Sequence, residues 1–257
     1  MYRFVYIVYI MLNNNKLIKI NEAAKLLNVS MQTLRRWDLS GRLKSTRISP
    51  TGYRYYKLSD IQLITKNIFS LAEEWILRPT AVEPDSQFFC LDGPTFQTRL
   101  NHLEIALQKI PELKKDFSFI SSMVGEIGNN SFDHNLGSWP DIRGIFFAYD
   151  LNKKQIVLTD RGQGILTTLK RVRPALMNDG EALLTAFTEK ISGRAPENRG
   201  NGLKYVKKVV ADIKKDISLK LYFQSGNAFI ILDDKTIDLK IEQTDTSFRG
   251  CLALINF

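Results

Sequence analysis

Cysteine is scarce in this 257-residue sequence, which has two, Cys90 and Cys251. Both lie in stretches predicted as strands, and neither stands at metal-ligand spacing from other ligand residues. This scarcity excludes a disulfide framework and a zinc site, and it favours buried thiols in a reducing compartment. We therefore expect a cytoplasmic protein.

Long apolar runs are also missing. The opening segment 2–12 is apolar apart from Arg3, but it is too short to span a bilayer and no small-residue cleavage site follows it. We expect no membrane partner, and we expect Met11 to be the initiator. A minor strand and an interfacial anchor are the alternatives for the opening segment 2–12.

Acidic side chains are few in the first quarter of the sequence. Residues 1–62 hold eleven Lys and Arg against three Asp and Glu, which accounts for +8 of the net charge of +9. A small segment this basic is typical of a domain that binds a polyanion. A charge count alone would also fit a solvent-exposed charged face. The residue pattern therefore decides between that and a polyanion-binding domain.

Two short helices around a tight turn are predicted within this basic segment. Asn21 is a good N-cap for a helix over 22–27, and Ser30 caps a second helix that runs through Trp37. Apolar side chains pack the two helices together. The outer side of the second helix carries polar side chains that could enter a DNA major groove: Gln32, Thr33, Arg35 and Arg36.

A β-hairpin is predicted after the second helix. Residues 43–56 form two strand-like runs around a Ser-Pro-Thr-Gly turn. We expect Arg47 and Arg54 to contact the phosphate backbone of DNA. Tyr53 and Tyr55 either contact DNA or pack the hairpin.

Residues 19–61 resemble the MerR-type winged helix-turn-helix over its whole length. The resemblance implies double-stranded DNA as a partner. MerR-type proteins usually continue into a long dimerising helix, whereas here a short helix over 61–75 precedes a proline-marked linker. A homodimer on a palindromic operator would therefore need contacts from the rest of the chain.

Two short motifs in the rest of the chain point to one pocket. Glu126 and Asn130 stand four residues apart in an apolar-periodic run that predicts a helix, so both side chains project from one face. Asp160 ends a predicted strand, and Gly162 and Gly164 open a turn where backbone can approach a flat ligand closely. A nucleotide base is such a ligand.

These motifs resemble the N box (E-x-x-x-N) and the first glycine box (D-x-G-x-G) of the GHKL superfamily, which includes gyrase, heat-shock chaperone ATPases and histidine kinases. Gly200, Gly202 and Leu203 follow in order and resemble the second glycine box, and residues 248–254 resemble the closing strand. The resemblance implies an α+β sandwich with helices on one face of a mainly antiparallel sheet. The expected domains are a winged helix-turn-helix over 11–62, a helix and linker over 63–85, and a GHKL-type ATP-binding domain over 86–257.

The resemblance also implies a role for each matching residue. Asp160 would accept a hydrogen bond from the adenine amino group, Asn130 would ligate Mg²⁺, and Glu126 would polarise an attacking water or hydroxyl. Asn129 is expected to face elsewhere, about 100° further round the helix. His134 either touches a phosphate or caps and packs the helix. The other expected contacts are Gly162 and Gly164 with the base, Gly200, Gly202 and Leu203 with the phosphates, and Arg194, Arg199 and Lys204 as nearby charges.

Two functions from different classes fit these features. The first is a transcriptional regulator, with a protein partner, whose DNA binding is gated by ATP and Mg²⁺. The second is an ATP-dependent serine/threonine kinase or slow ATPase of the anti-sigma-factor type, delivered to DNA by its helix-turn-helix. A histidine autokinase is not expected, because His102, the candidate phosphoacceptor, lies within the first helix of the expected ATP domain. Fast hydrolysis is not expected either, since Phe257 comes just after the closing strand and gyrase-like ATPases use a further domain.

Overall fold

The computed structural model describes residues 17–27, 29–41, 43–47, 52–58, 60–61, 67–191, 201–213 and 217–257. The chain divides into two compact units, with the boundary between Asn67 and Ile68. The predictions for Met11, Arg194, Arg199 and Gly200 fall outside the described residues.

Among the residues that the structure describes, the first unit has a pair of helices, further helical residues at 58 and 60–61, and a small antiparallel sheet. Its elements are β1 (Leu17–Lys19), α1 (Ile20–Leu27), α2 (Met31–Leu39), β2 (Thr46–Arg47) and β3 (Arg54–Lys57), and the sheet order is β1-β3-β2. The predicted pair of helices and the predicted hairpin strands are therefore present. Asn21 lies within α1 and is not its cap, because β1 leads directly into that helix at Ile20.

A capped helix and a buried tyrosine hold the first unit together. Ser30 Oγ accepts a hydrogen bond from the Thr33 amide at 3.0 Å, so the predicted N-cap of α2 is confirmed. Leu34 and Tyr56 are fully buried, and the Tyr56 hydroxyl donates to the Leu34 carbonyl at 3.3 Å. The same core contains Ile18, Ala23, Ala24, Leu43 and Ile61. This core fixes which side of α2 faces outward.

The second unit is built from helices and one antiparallel sheet. Its helices are α3 (Ile68–Leu77), α4 (Gly93–Gln108), α5 (Phe117–Asn135), α6 (Gly164–Lys170), α7 (Asp179–Thr188) and α8 (Gly202–Asp212). Its strands are β4 (Phe89–Cys90), β5 (Ile145–Asp150), β6 (Gln155–Asp160), β7 (Lys220–Ser225), β8 (Ala228–Asp233), β9 (Ile241–Gln243) and β10 (Cys251–Asn256). The sheet order is β4-β5-β6-β10-β7-β8-β9, and all of these pairs are antiparallel. The predicted class, mixed helix and antiparallel sheet, is confirmed.

The main core lies between one face of the sheet and a layer of helices. Strands β5, β6 and β10 direct alternate residues, such as Phe147, Leu158 and Ala253, into this core. Helix α5 contributes Met123 and Ile127, and it contacts both α4 and α8. This packing holds α5 against the end of β6, where the pocket described below is formed.

Helix α3 covers the opposite face of the sheet, which differs from the expected arrangement with helices on one face. Its Trp75 and Ile76 join a second buried cluster with Phe146, Val157 and Leu252. The reason is that β5, β6 and β10 are apolar on both faces, so each face has to be covered. The segment predicted as helix and linker, 63–85, therefore contains an element of the second unit.

Two smaller features complete the fold. Four strands follow α8, whereas three were predicted. Strand β9 was missed because it is only three residues long and is exposed along much of its length. Cys90 is a buried free thiol in β4 and Cys251 a half-buried one in β10, in agreement with the predicted strands. In the described part of the chain, no helix combines the length and apolarity needed to cross a bilayer.

Candidate functional site

A cavity of about 550 Å³ opens beside α5 in the second unit. Its walls are α5, the end of β6 with the start of α6, the end of α7, and the start of α8. Polar side chains come mainly from α5, and apolar contacts come from Ile127, Ile165, Leu169, Ala186, Ile191, Leu203 and Phe223. An apolar cavity of this size with a few converging polar groups is typical of a small-molecule site.

Asp160 forms one end of this cavity as the last residue of β6, and it is 2% exposed. Ser131 Oγ donates to its Oδ2 at 2.8 Å, and the Gly162 amide donates to its Oδ1 at 2.8 Å. Burial raises the pKa of the Asp160 carboxyl, and these hydrogen bonds offset part of that effect. A carboxylate has about four lone-pair positions, so Asp160 can still accept a hydrogen bond from a ligand.

Asn135 fixes the turn that follows β6. Its Nδ2 donates to the Ser131 carbonyl at 2.8 Å, and its Oδ1 accepts from the Gln163 amide at 2.8 Å. Gly164 then leads into α6 with φ of 75°, a left-handed conformation that glycine adopts without a steric penalty. The turn is thus held against α5 by a buried carboxamide rather than by packing alone.

The other end of the cavity lies at the start of α8. The Glu126 carboxylate and the Asn130 carboxamide lie beside Gly202: a Cβ added there would be 2.0 Å from Glu126 Oε1 and 2.9 Å from Asn130 Nδ2, so a larger residue would collide with the carboxylate. One turn before Glu126 in α5 and one turn after Gly202 in α8, the hydroxyls of Ser122 and Tyr205 share a hydrogen bond at 2.7 Å. The first backbone N–H groups of α8, which lack partners within the helix, therefore lie beside a carboxylate and a carboxamide.

The described residues of the predicted ATP site come together in this cavity. Those that line it are Glu126, Asn130, His134, Asp160, Gly164, Gly202 and Leu203, and Gly162 is joined to Asp160 through its amide. Lys204 is half-buried in the first turn of α8. Asn129 also lines the cavity, so the expectation that it faces elsewhere is wrong: the opening spans a wider arc of α5 than a single stripe.

Sequence reasoning did not identify Ser131 and Asn135, which contact Asp160 and its turn. Both stand at helical spacing from the core residue Ile127, four and eight positions on, so periodicity contained the signal. The periodic pattern could not show that a strand end lies opposite them. Among the residues that the structure describes, no group of three or more His, Cys, Asp or Glu side chains is placed to hold a metal ion.

In the first unit, the outer side of α2 presents a basic, polar surface. Gln32, Arg35 and Arg36 are exposed. Thr33 is half-buried, and its hydroxyl shares a hydrogen bond with Ser30 Oγ at 2.9 Å, so it supports the start of the helix. Three of the four residues predicted for the major groove therefore lie on the accessible side of α2.

The hairpin is anchored to α2 through Asp38. Arg54 Nε donates to Asp38 Oδ2 at 2.8 Å, and the Ser45 amide and hydroxyl donate to the same carboxylate at 2.9 and 2.7 Å. Burial disfavours the charged form of Asp38, but these hydrogen bonds prevail and lower its pKa to about 2. Arg54, predicted to contact phosphate, thus has a structural partner in Asp38. Arg47, predicted for the same role, is exposed on β2.

The two tyrosines of the hairpin differ in exposure. Tyr53 is 74% exposed, and Lys19 Nζ lies 5.9 Å from the centre of its ring. Tyr55 is half-buried on β3, opposite Lys19 of β1 and Thr46 of β2. Packing within the sheet accounts for Tyr55, while Tyr53 has an accessible ring.

Comparison with known proteins assigns a family to part of this unit. Residues 19–56 match the sequence profile of the family described as MerR family regulatory protein. These residues form a MerR-type helix-turn-helix domain. The matched range contains both helices, their turn and most of the hairpin, and it indicates a DNA-binding domain.

A second comparison aligns 56 residues with Type II methyltransferase M.Eco47II of Escherichia coli at 38% identity. The alignment covers 22% of this chain and 13% of the methyltransferase. The chain therefore spans a small part of that relative's length. The MerR-type match ends at residue 56, before the second unit begins.

Proposed function

We propose that the protein is a DNA-binding transcriptional regulator whose activity is gated by ATP and Mg²⁺ bound in a GHKL-type second domain. The observation that carries the proposal is a convergence in space. Three elements separated in the sequence, α5, the turn after β6 and the start of α8, bring Glu126, Asp160 and Gly202 to one cavity. These are the elements that contain the motifs resembling the N box and the two glycine boxes.

The Asp160 end of the cavity suits an adenine base. A buried carboxylate accepts hydrogen bonds, and the adenine amino group donates them, whereas guanine presents a carbonyl oxygen at the corresponding position. Ile165, Leu169 and Phe223 provide apolar contact area near this end for a flat ring. This pairing favours ATP over GTP, because a carboxylate repels the guanine carbonyl and gives it no hydrogen-bond donor.

The Gly202 end suits phosphates. Backbone N–H groups at the start of an 11-residue helix favour an anion there, and the half-buried Lys204 adds a positive charge. Asn130 can supply one oxygen ligand to Mg²⁺, which would take its other ligands from phosphate and water. Bound there, Mg²⁺ would neutralise phosphate charge. Glu126 and Ser131 mark the two ends on α5 and are about 7 to 8 Å apart along its axis, a separation that a nucleotide can span.

The MerR-type domain supplies the DNA-binding part of the proposal. Arg35 and Arg36 on α2 can reach base edges in a major groove, and Arg47 on β2 can reach a phosphate. The excess of basic side chains in residues 1–62 supports binding to a polyanion. The short alignment with a methyltransferase covers too little of either chain to transfer that enzyme's activity to this one.

The experiment that tests the proposal measures both ligands on the full chain. Calorimetry with ATP and Mg²⁺, repeated with GTP, should show binding that prefers ATP. DNA selected from a random pool should then bind with an affinity that changes when ATP is present. No ATP binding at millimolar concentration would end the nucleotide part of the proposal, and no selected DNA would end the regulator part.

An ATP-dependent protein kinase or slow ATPase is a second candidate, favoured by the position of Glu126. Its carboxylate lies against the start of α8, beside the proposed phosphate end. There it could take the proton of a serine hydroxyl or a water whose oxygen bonds to the γ-phosphorus as ADP leaves. Release of ADP from the full chain, lost in Glu126→Gln, would favour this candidate over a regulator that only senses ATP.

A further inference from the structure

Arg161, which no motif assigns, is a buried charge beside the proposed base-binding residue. It follows Asp160 directly in the turn after β6, and its side chain is 6% exposed. Its Nη2 and Nε donate to Asp141 Oδ2 at 2.8 and 3.1 Å. A guanidinium in this environment is stable only when most of its N–H groups have acceptors.

The remaining acceptors of Arg161 lie at the end of α3 and in the residue that follows it. Its Nη1 donates to the carbonyls of Trp75, Ile76 and Arg78 at 2.9, 3.0 and 2.8 Å. Trp75 and Ile76 lie in the last turn of α3, and Arg78 follows its last residue. The Trp75 carbonyl also accepts from the Arg78 amide at 3.3 Å, and the helix dipole favours a cation at this end. One side chain therefore caps α3 from the turn that carries Asp160.

The Arg161 side chain links the turn that carries Asp160 to helix α3. The Arg161 backbone lies inside the small ring closed by the hydrogen bond from the Gly162 amide to Asp160 Oδ1. Helix α3 is the first element of the second unit and follows Asn67 directly. A ligand that shifts Asp160 must move the Arg161 backbone, and the three carbonyls are the groups that respond.

Helix α3 can respond without losing its place on the sheet. Trp75 packs on Phe89 and Phe146, with ring centres 6.5 and 6.3 Å apart, and its Nε1 donates to the Val82 carbonyl at 2.7 Å. These side-chain contacts hold Trp75 on the sheet, whereas Arg161 bonds the backbone carbonyls of Trp75, Ile76 and Arg78. A change at Arg161 therefore alters the last turn of α3 first.

We propose that Arg161 is a positioning residue that couples ligand occupancy at Asp160 to the C-terminal turn of α3, and through α3 to the chain segment that leads from the MerR-type domain. The inference rests on the proposed binding of ATP at Asp160. Coupling of this kind is reciprocal, so whatever fixes α3 also changes the affinity at Asp160.

The test compares Arg161→Lys with Arg249→Lys in the full chain. Arg249 Nη2 also donates to Asp141 Oδ2 at 2.8 Å, but its side chain is 56% exposed and it bonds no α3 carbonyl. Lysine keeps the charge of either residue, yet it cannot reproduce a planar fork that reaches a carboxylate and three carbonyls together. Arg249→Lys is therefore a matched control for charge and for the contact with Asp141.

Two quantities are measured for each protein: ATP affinity by calorimetry, and hydrogen exchange of the α3 amides with and without ATP and Mg²⁺. In the parent protein, ATP should slow exchange in the last turn of α3 by about fivefold or more. Arg161→Lys should lose this response, and Arg249→Lys should keep it.

The outcomes separate the inference from the proposed function. If ATP does not bind the parent protein, both the proposed nucleotide function and the inference about Arg161 are wrong. If ATP binds but exchange in α3 does not change, only the coupling falls, and this result needs no variant to fold. If Arg161→Lys binds ATP and keeps the response of α3, Arg161 is not the coupling residue.

Discussion

At the scale of single residues, Asp160 is expected to select the base. In Asp160→Asn, the amide has one acceptor oxygen, so it cannot accept from both Ser131 and Gly162 and also offer a charged acceptor to adenine. We expect ATP affinity to fall by up to a few kcal/mol and the preference for ATP over GTP to shrink. Competition between ATP and GTP in calorimetry measures both effects.

Ser131→Ala is the matched control for Asp160. It removes the hydrogen bond to Oδ2 but keeps the carboxylate, so ATP should still bind with its preference over GTP. Equal loss of binding in both variants would mean that the whole turn had collapsed, and unchanged affinity in Asp160→Asn would remove Asp160 from the base site.

Gly202 and Gly93 allow a second paired test, because each is the first residue of a helix. A methyl group at Gly202 would displace the Glu126 carboxylate, whereas nothing lies within 4 Å of a side chain added at Gly93. We expect Gly202→Ala to weaken ATP binding about tenfold or more, the equivalent of about 1.4 kcal/mol. Gly93→Ala should bind as the parent protein does, and thermal unfolding checks that both variants fold.

At the scale of elements, Asp38 joins α2 to the hairpin and makes that connection sensitive to pH. Its pKa is lowered to about 2, below the ordinary value of 3.8 for an aspartate. The carboxylate therefore stabilises the folded state fully above pH 4, and this contribution is lost as the pH falls from about 4 to 2. The loss is at most about 2 kcal/mol.

Hydrogen exchange of the α2 amides measures this loss. Between pH 6 and pH 3, protection in α2, corrected for intrinsic exchange, should fall more in the parent protein than in Asp38→Asn, which has no carboxylate to protonate. Parallel pH dependence in the two proteins would show that Asp38 is not the titrating group.

The helix and the hairpin should contribute differently to DNA binding. Replacing Arg35 or Arg36 with Ala should relax sequence preference by about 1 to 3 kcal/mol, because a bidentate contact to guanine discriminates between bases. Arg47→Ala should weaken binding to all sequences alike and lower the slope of affinity against salt by about one unit. Arg54→Ala should also destabilise the hairpin, since Arg54 pairs with Asp38.

A salt series against a selected site and a scrambled site measures both effects. Lys240→Ala in the second unit removes the same charge from an exposed side chain and serves as the control. If Arg36→Ala and Arg47→Ala gave the same change on both DNAs, α2 would not be reading bases.

Elements with a strong local pattern could be predicted from the sequence. Helix α5 has apolar residues at helical spacing, and α2 has a serine cap, so both helices were predicted. The position of α3 was not predicted, because it depends on strands β5, β6 and β10 being apolar on both faces and on how they pair. Ser131 and Arg161 became visible as site residues only when these strands placed the end of β6 beside α5 and α3.

At the scale of the whole molecule, two ligands binding one chain should affect each other equally. If ATP changes DNA affinity by some factor, DNA must change ATP affinity by the same factor, commonly about 5- to 150-fold. We expect this reciprocity in the full chain, and titration of each ligand at saturation of the other measures it. If ATP and DNA bound independently of each other, ATP would not gate DNA binding, although both ligands bind the same chain.

The central place of β10 in the sheet has a consequence for the synthesis of the protein. Strand β10 pairs with both β6 and β7, and Thr159 donates to the Cys251 carbonyl across 92 positions of sequence. Earlier strands leave the ribosome first, so the two halves of the sheet stay unjoined until β10 emerges. Pairing at such sequence separation is slow. A nascent chain can therefore present its helix-turn-helix to DNA before Asp160 has its neighbours on β10, and during that interval the cavity beside Asp160 is incomplete.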